Sequence, residues 1–181
     1  MKRLSLTAFA AAVLVSAAAH AQAPAAPPAA APAAIPEAMP FDIPYGMPIS
    51  LDQAHKAIMA AVAEAKKHNW KMSIAVTDPS GNLIAHATMD GTQIGSILFS
   101  QAKARTAAQF RRPSKVFADS INGGSPGTLS VLMGMGGAAS EGGFPIVIDG
   151  KMVGAIGASG GLAPQDGVTA KAGLAGLGIA N

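Results

Sequence analysis

Imidazole side chains are the first groups in this sequence with chemistry to offer, because the chain contains no cysteine. Thiolate catalysis and cysteine-ligated metals are therefore excluded. Beyond residue 21 the histidines are His55, His68 and His86, and they form neither an HxxxH nor an HExxH pattern. His86 lies in an alternating segment on the face opposite Leu83 and Ala85, where a single imidazole could ligate haem iron. The alternative is that each histidine is an ordinary surface or capping residue.

The charged residues suggest an anion site and one candidate base. Five basic residues fall within 13 positions near the end of a predicted helix: Lys103, Arg105, Arg111, Arg112 and Lys115. They form either a solvated face or a clamp for carboxylates such as haem propionates. Glu141, beside a glycine-rich segment, is the candidate general base. No Ser-His-Asp catalytic triad is predicted from the sequence.

The glycine-rich segment, residues 122–143, reads NGGSPGTLSVLMGMGGAASEGG. A dinucleotide loop needs G-x-G-x-x-G between a strand and a helix, and a P-loop needs Gly-Lys-Ser/Thr; neither context occurs here. Two interpretations stay open. The glycines permit tight turns in a flexible crossing, or they let a ligand lie against the backbone beside an apolar wall of Leu132, Met133 and Met135. Met133 and Met135 are also candidate thioether ligands to haem iron.

The periodicity of apolar residues predicts the elements that must position these groups. Ser50 and Gln53 fit a capping box at the start of the first helix. Helices are predicted over about 51–68, 92–110 and 164–177, with a short one after Pro113. Two β-hairpins are predicted, within 72–89 and within 144–158. Because hairpins replace strand-helix-strand alternation, we expect an α+β domain with an antiparallel sheet covered by helices.

The N-terminal residues read as a secretory signal peptide over 1–21. Lys2 and Arg3 precede an apolar run and the small-x-small site Ala19-His20-Ala21. Residues 22–45 form an Ala/Pro-rich linker, which leaves 46–181 as one domain. We expect a periplasmic or secreted protein with no transmembrane segment in the mature chain.

Nucleic-acid binding is not expected of the mature chain. Loss of Lys2 and Arg3 lowers the formal net charge from +3 to +1. The full sequence contains only one Trp, one Tyr and six Phe that could stack on bases.

Three separated stretches resemble the GlcG/HbpS-like family, which includes the haem-binding HbpS proteins and the C-terminal domain of PduO. They are MSIAVTDPSGNLIAHATMDG, QAKARTAAQFRRPS and EGGFPIVIDGKMVGAIGASGG, followed by Gln165-Asp166. The resemblance covers about residues 51–177. It implies a profilin-like three-layer α/β/α fold with a five-stranded antiparallel sheet, assembly into a dimer or larger homo-oligomer, and binding of haem or a related small molecule.

The resemblance also identifies motif positions that we expect to contact a ligand. They are Asp90, Lys103, Arg105, Asn122, Gly123, Gly124, Gly142, Gly143 and Ser159. In a compact sheet domain these turns could converge at one rim of the sheet, in a shallow pocket whose donors are mainly backbone amides. Thr88 departs from the family pattern, where arginine is frequent, so no axial ligand to iron is transferred from relatives.

The leading hypothesis is an exported, oligomeric protein that binds haem or another small anionic ligand as a scavenger, carrier or sensor. One alternative is an enzyme that degrades haem or acts on a small organic acid, with Glu141 as base and Lys103 or Arg105 holding a carboxylate. Another is a non-catalytic oligomeric interaction module. The thin inventory of catalytic groups favours binding over catalysis.

Overall fold

Two hairpins and five helices make up the part of the chain that the computed structural model describes, residues 37–39 and 41–179. The helices are α1 (Leu51–Lys67), α2 (Gly95–Phe110), α3 (Lys115–Asn122), α4 (Gly127–Gly134) and α5 (Ala163–Gly176). The strands are β1 (Ser73–Thr77), β2 (Leu83–Thr88), β3 (Gly143–Ile148) and β4 (Lys151–Ser159). The predicted signal peptide and most of the predicted linker lie outside the described residues. None of the described helices is long and apolar enough to cross a membrane.

The sheet is antiparallel, in the order β2-β1-β4-β3. Each predicted hairpin is present, and β1 pairs with β4 at the centre, with Ser73 opposite Ser159. The α+β class with an antiparallel sheet is therefore confirmed, but the expected fifth strand is wrong for the described residues. The described residues before α1 form no strand; their only β-pairing is an isolated parallel bridge between Tyr45 and Met152. Pro44 and Pro48 flank this bridge, and proline has no N–H with which to extend a ladder.

Helices cover both faces of the sheet. α1 and α5 pack on each other and on the apolar face, where alternate residues such as Ile74, Val76 and Ile156 join the main core. α2 packs on the opposite face, across β1, β4 and β3. The capping box at the start of α1 is confirmed, because Ser50 Oγ accepts a hydrogen bond from Gln53 N at 3.2 Å.

The glycine-rich segment contains a helix that the sequence interpretation as a flexible crossing did not include. α4 follows Pro126, whose φ of −64° suits the start of a helix. Only Leu132 of α4 is buried, so little apolar area holds this helix to the rest of the domain.

Candidate functional site

A layer of small and polar residues separates α2 from the sheet. Ser96, Ser100, Lys103 and Thr106 are all buried on α2. Large apolar side chains do not fit here, because the two backbones lie too close together. A Cβ atom at Gly157 of β4 would collide with the backbone oxygen of Ser100. This polar layer has two ends with different chemistry, one at β2 and one beside α5.

At the β2 end, a histidine is held by a chain of hydroxyl groups. His86 Nε2 lies 2.9 Å from Ser73 Oγ and 3.5 Å from Ser100 Oγ. Ser73 Oγ in turn lies 3.0 Å from Thr88 Oγ1. We call His86, Ser73, Thr88 and Ser100 the histidine end. In the tautomer with the proton on Nε2, His86 donates to Ser73, and its Nδ1 lone pair is used by none of the described residues.

Burial controls the protonation of this ring. The ring is partly buried, and burial lowers the pKa of His86 from its ordinary value of 6.5 because the charged form loses hydration. A neutral imidazole is the form that binds a metal. Metal-binding histidines commonly donate their second ring N–H to a nearby oxygen, as His86 Nε2 can to Ser73. The histidine end therefore has the chemistry of a single-imidazole ligand.

Beside α5, the polar layer ends in a buried ion pair. Lys103 Nζ lies 2.7 Å from Asp166 Oδ2, and the two side chains are 0% and 4% exposed. Lys103 Nζ also donates to Ala158 O at 3.2 Å, and Asp166 Oδ1 accepts from Gly161 N at 3.0 Å. We call Lys103, Asp166 and these backbone partners the ion-pair end.

Burial acts against both charges of this pair. It lowers the pKa of Lys103 and raises the pKa of Asp166, and each partner offsets part of the change in the other. Because the ammonium is already bonded to a carboxylate and a carbonyl, Lys103 does not present a free charge to a ligand. Its position joins α2 to the end of β4 and to the first turn of α5.

The end of the glycine-rich segment packs around the same ion pair. Gly142 has φ +121°, and a Cβ atom there would lie 2.6 Å from Ala158 O. At Gly143 a Cβ atom would collide with the backbone oxygen of Lys103. The Glu141 side chain rests against Gly167, just after the first turn of α5.

The structure thus brings together some of the positions that sequence motifs indicated. Lys103, Gly142 and Gly143 meet at the ion-pair end, with Glu141 beside them. Ser159 lies in the same polar layer and donates from Oγ to Ser96 Oγ at 3.3 Å, in a buried position. These contacts hold α2 against the sheet.

Other predicted positions lie elsewhere. Asp90 lines a groove of about 370 Å³ between α1 and β2. Arg105 lies against Gly81 in the turn between β1 and β2, and its Nη1 donates to Gly136 O at 3.1 Å. Asn122, Gly123 and Gly124 are exposed at the end of α3, and the amides of the two glycines bond back into that helix.

The two candidate methionine ligands are exposed, at 68% for Met133 and 47% for Met135. Met135 lines a groove with Gln109, whereas His86 lies opposite Ser100. Ser100 and Gln109 are nine positions apart on α2, which is roughly 13 Å along a helix. His86 and Met135 therefore flank different parts of α2.

The remaining members of the basic cluster have partners within the chain. Arg111 Nη1 donates to Ile43 O at 3.0 Å. The Arg112 guanidinium lies 3.8 Å from the centre of the Phe41 ring, and Lys115 Nζ lies 2.7 Å from Asp119 Oδ1. Residues 41–45, assigned to the linker from the sequence, thus contact the end of α2.

Sequence reasoning missed the partners of the predicted residues. The sequence analysis names Asp166 only within the family motif Gln165-Asp166 and Thr88 only as a departure from the family pattern. It does not identify Ser73 or Ser100. The available signal was the spacing of Ser96, Ser100 and Lys103, which places three polar side chains on one face of a helix. No group of three or more His, Asp or Glu within residues 37–39 and 41–179 is placed to hold a metal ion.

These features define an α+β domain with an antiparallel sheet between helices and a polar layer beneath one of them. A family model described as "Haem degrading protein HbpS-like" matches residues 49–175. Protein GlcG from Escherichia coli (strain K12) is 40% identical over 113 residues, which cover 61% of this chain and 81% of GlcG. The chain belongs to the HbpS-like family.

Solved structures agree with this assignment. A double mutant of HbpS from Streptomyces reticuli has a TM-score of 0.66 and 32% identity, covering 82% of this chain and 97% of the HbpS chain. PduOC, solved as a complex with haem, has a TM-score of 0.68 at 22% identity, covering 74% of this chain and 98% of the PduOC chain. The PduOC comparison bears on the fold alone.

Proposed function

We propose that this protein binds haem and that His86 offers its imidazole to the iron. The observation that carries the proposal is the histidine end: Ser73 holds Nε2, and Nδ1 has no partner among the described residues. Burial lowers the pKa of the ring and so favours its neutral form. Membership of a family whose model is described as haem degrading supports haem as the ligand.

The residues present fit this group. Haem iron is held by its porphyrin and needs from the protein only an axial ligand, so one histidine is sufficient. Ser73 Oγ bonds to Nε2 and so fixes the orientation of the ring, and Ser73 Oγ is itself bonded to Thr88 Oγ1. The broader form of the same proposal is that the protein binds a small anionic ligand other than haem.

We propose a role in scavenging, carrying or sensing haem rather than in catalysis. Glu141 precedes β3, whereas His86 lies on β2, at the opposite edge of the sheet. Three interstrand spacings separate these edges, roughly 14 Å. The candidate base and the candidate iron ligand therefore do not form one catalytic constellation.

Titration of the purified protein with haemin tests this proposal. We expect a saturable shift of the Soret band, and His86→Ala should weaken binding about tenfold or more and change the spectrum. Met133→Ala and Met135→Ala are the matched controls and should bind like the parent protein. Unfolding curves for each variant separate loss of the ligand from loss of the fold. An absent shift at micromolar haemin, or an unchanged spectrum in His86→Ala, would overturn the assignment.

A second candidate function, haem degradation, is favoured by the description of the matching family. Incubation of haemin with the protein, ascorbate as reductant and dioxygen should then consume the Soret band and yield an open tetrapyrrole. Loss of absorbance at the same rate with heat-denatured protein would count against enzymatic degradation. Glu141→Gln tests the predicted base in the same assay.

We also propose that the protein is exported and assembles into a homo-oligomer. Cleavage after Ala21 should give a mature chain that begins at Gln22, measurable as intact mass in the periplasmic or secreted fraction; an uncleaved cytoplasmic chain would contradict export. Ile94, the residue before α2, and Leu98 in its first turn are 85% and 73% exposed, which supports a contact between copies. Light scattering should show an oligomer that Leu98→Glu weakens, and a monomer at all concentrations would contradict assembly.

A further inference from the structure

The groove between α1 and β2 combines an apolar floor with two cationic side chains. Met59 and Val62 of α1, with Ala87 and Met89 at the end of the first hairpin, supply the floor. Val62, Ala87 and Met89 pack against the main core, whereas Met59 is 63% exposed. At about 370 Å³ the groove falls within the range of small-molecule sites.

The charges at the rim favour an anion. Lys66 and Lys71 both line the groove, and neither forms an ion pair with a carboxylate of the described residues. Lys71 Nζ donates only to the neutral Asn69 Oδ1, at 3.2 Å. The neighbouring Lys67 differs, because its Nζ lies 2.7 Å from Glu64 Oε2. Asp90 is the one acid in the lining, so the rim carries a net positive charge.

We infer that this groove binds an amphipathic carboxylate, with its apolar body on the methionine-rich floor and its carboxylate on Lys66 and Lys71. Methionine side chains adapt to apolar bodies of different shape. Lys66 and Lys71 are five positions apart, on either side of the end of α1, and both would attract the carboxylate of the ligand. Asp90 would repel it. The chemistry is shared by a porphyrin with propionates and by a linear acyl chain.

Thr88 lines the groove and also bonds to Ser73, but the other residues of the histidine end do not line the groove. Ala87 packs on the α1 side of β2, whereas His86 faces Ser100 of α2 on the other side. The inference therefore does not rest on haem ligation by His86. Metal-free protoporphyrin IX distinguishes binding in this groove from binding to His86, because it carries the propionates but has no iron for the histidine to ligate.

Fluorescence titration of the full chain with protoporphyrin IX, and competition by dodecanoate, test the inference. At low ionic strength Lys66→Ala with Lys71→Ala should weaken binding roughly tenfold, the change expected when charge-assisted hydrogen bonds are lost. Lys67→Ala is the matched control and should leave binding unchanged. Asp90→Asn should strengthen binding, and added salt should weaken it.

Two further arms identify the source of the carboxylate and exclude the histidine end. Protoporphyrin dimethyl ester lacks free carboxylates and should not respond to the lysine changes. Binding of protoporphyrin alone would identify a porphyrin site, and displacement by dodecanoate would identify a site for acyl chains. The inference is overturned if neither probe binds, if Lys67→Ala weakens binding as much as the double variant, or if His86→Gln abolishes protoporphyrin binding.

Discussion

Lys103 Nζ and Asp166 Oδ2 lie 2.7 Å apart in a site that excludes solvent, although 63 positions separate the two residues in the chain. The pair connects α2 with α5, which come from opposite faces of the sheet. A buried pair of this kind contributes little to the free energy of unfolding when it is intact, but removal of one partner leaves the other charge buried without compensation.

Replacement of Lys103 alone should therefore lower the free energy of unfolding more than replacement of both Lys103 and Asp166. We expect Lys103→Met to lower the free energy of unfolding by about 3–5 kcal/mol, because Asp166 is left buried and unpaired. The double variant Lys103→Met with Asp166→Asn should recover much of this loss, since the new amide is uncharged and its oxygen can still accept from Gly161 N. Urea unfolding measures both. A double variant no more stable than Lys103→Met would contradict the pairing.

Close contact between α2 and the sheet predicts that Gly157 does not tolerate a larger residue. Gly157→Ala places a methyl group against the backbone of Ser100 and should destabilise the fold by about 1–3 kcal/mol. Gly127→Ala is the matched control: a Cβ atom there meets no other atom within 4 Å. Its effect should stay within about 1 kcal/mol. Equal unfolding midpoints for the two variants would argue against tight packing of α2.

His86 should make stability depend on pH. Its folded-state pKa lies below 6.5, so as the pH falls through 6.5 the unfolded chain binds the proton first. The contribution of this residue is present above pH 6.5 and is lost progressively as the pH falls toward the folded pKa. His86→Gln removes this pH-dependent contribution to stability. The difference in unfolding free energy between pH 7.5 and pH 5 should therefore be smaller in His86→Gln than in the parent protein, and an equal difference would contradict the burial effect.

Arg105 should hold the glycine-rich segment in place. Arg105→Met keeps an apolar stem against Gly81 but removes the hydrogen bond to Gly136 O. We expect faster hydrogen exchange at residues 134–138, measured by mass spectrometry, with a small decrease in stability of about 1 kcal/mol. Lys115→Met is the control, because Lys115 pairs with Asp119 within α3. It should not change hydrogen exchange at residues 134–138. Unchanged exchange in Arg105→Met would show that other contacts anchor the segment.

Several local elements of this fold can be predicted from short stretches of the sequence. The capping box of Ser50 and Gln53 begins α1 where it was predicted, because all its hydrogen bonds lie within one helical turn. Both hairpins follow from alternation and turn residues. The expected fifth strand does not form because Pro44 and Pro48 interrupt the segment before α1 that bridges to Met152. α4 was missed because its glycines have low helix propensity and its burial is slight.

By itself the sequence determined the α+β class, the order of the elements, membership of one family and the identity of the side chains that could do chemistry. Only the tertiary structure decided which of them meet. It directed Lys103 to Asp166 rather than to a ligand, and it placed Ser73 against His86. It also placed Lys66 and Lys71 beside a groove formed with a strand that follows them. These pairings depend on strand register and on how closely α2 approaches the sheet, and both are set by contacts between residues far apart in the chain.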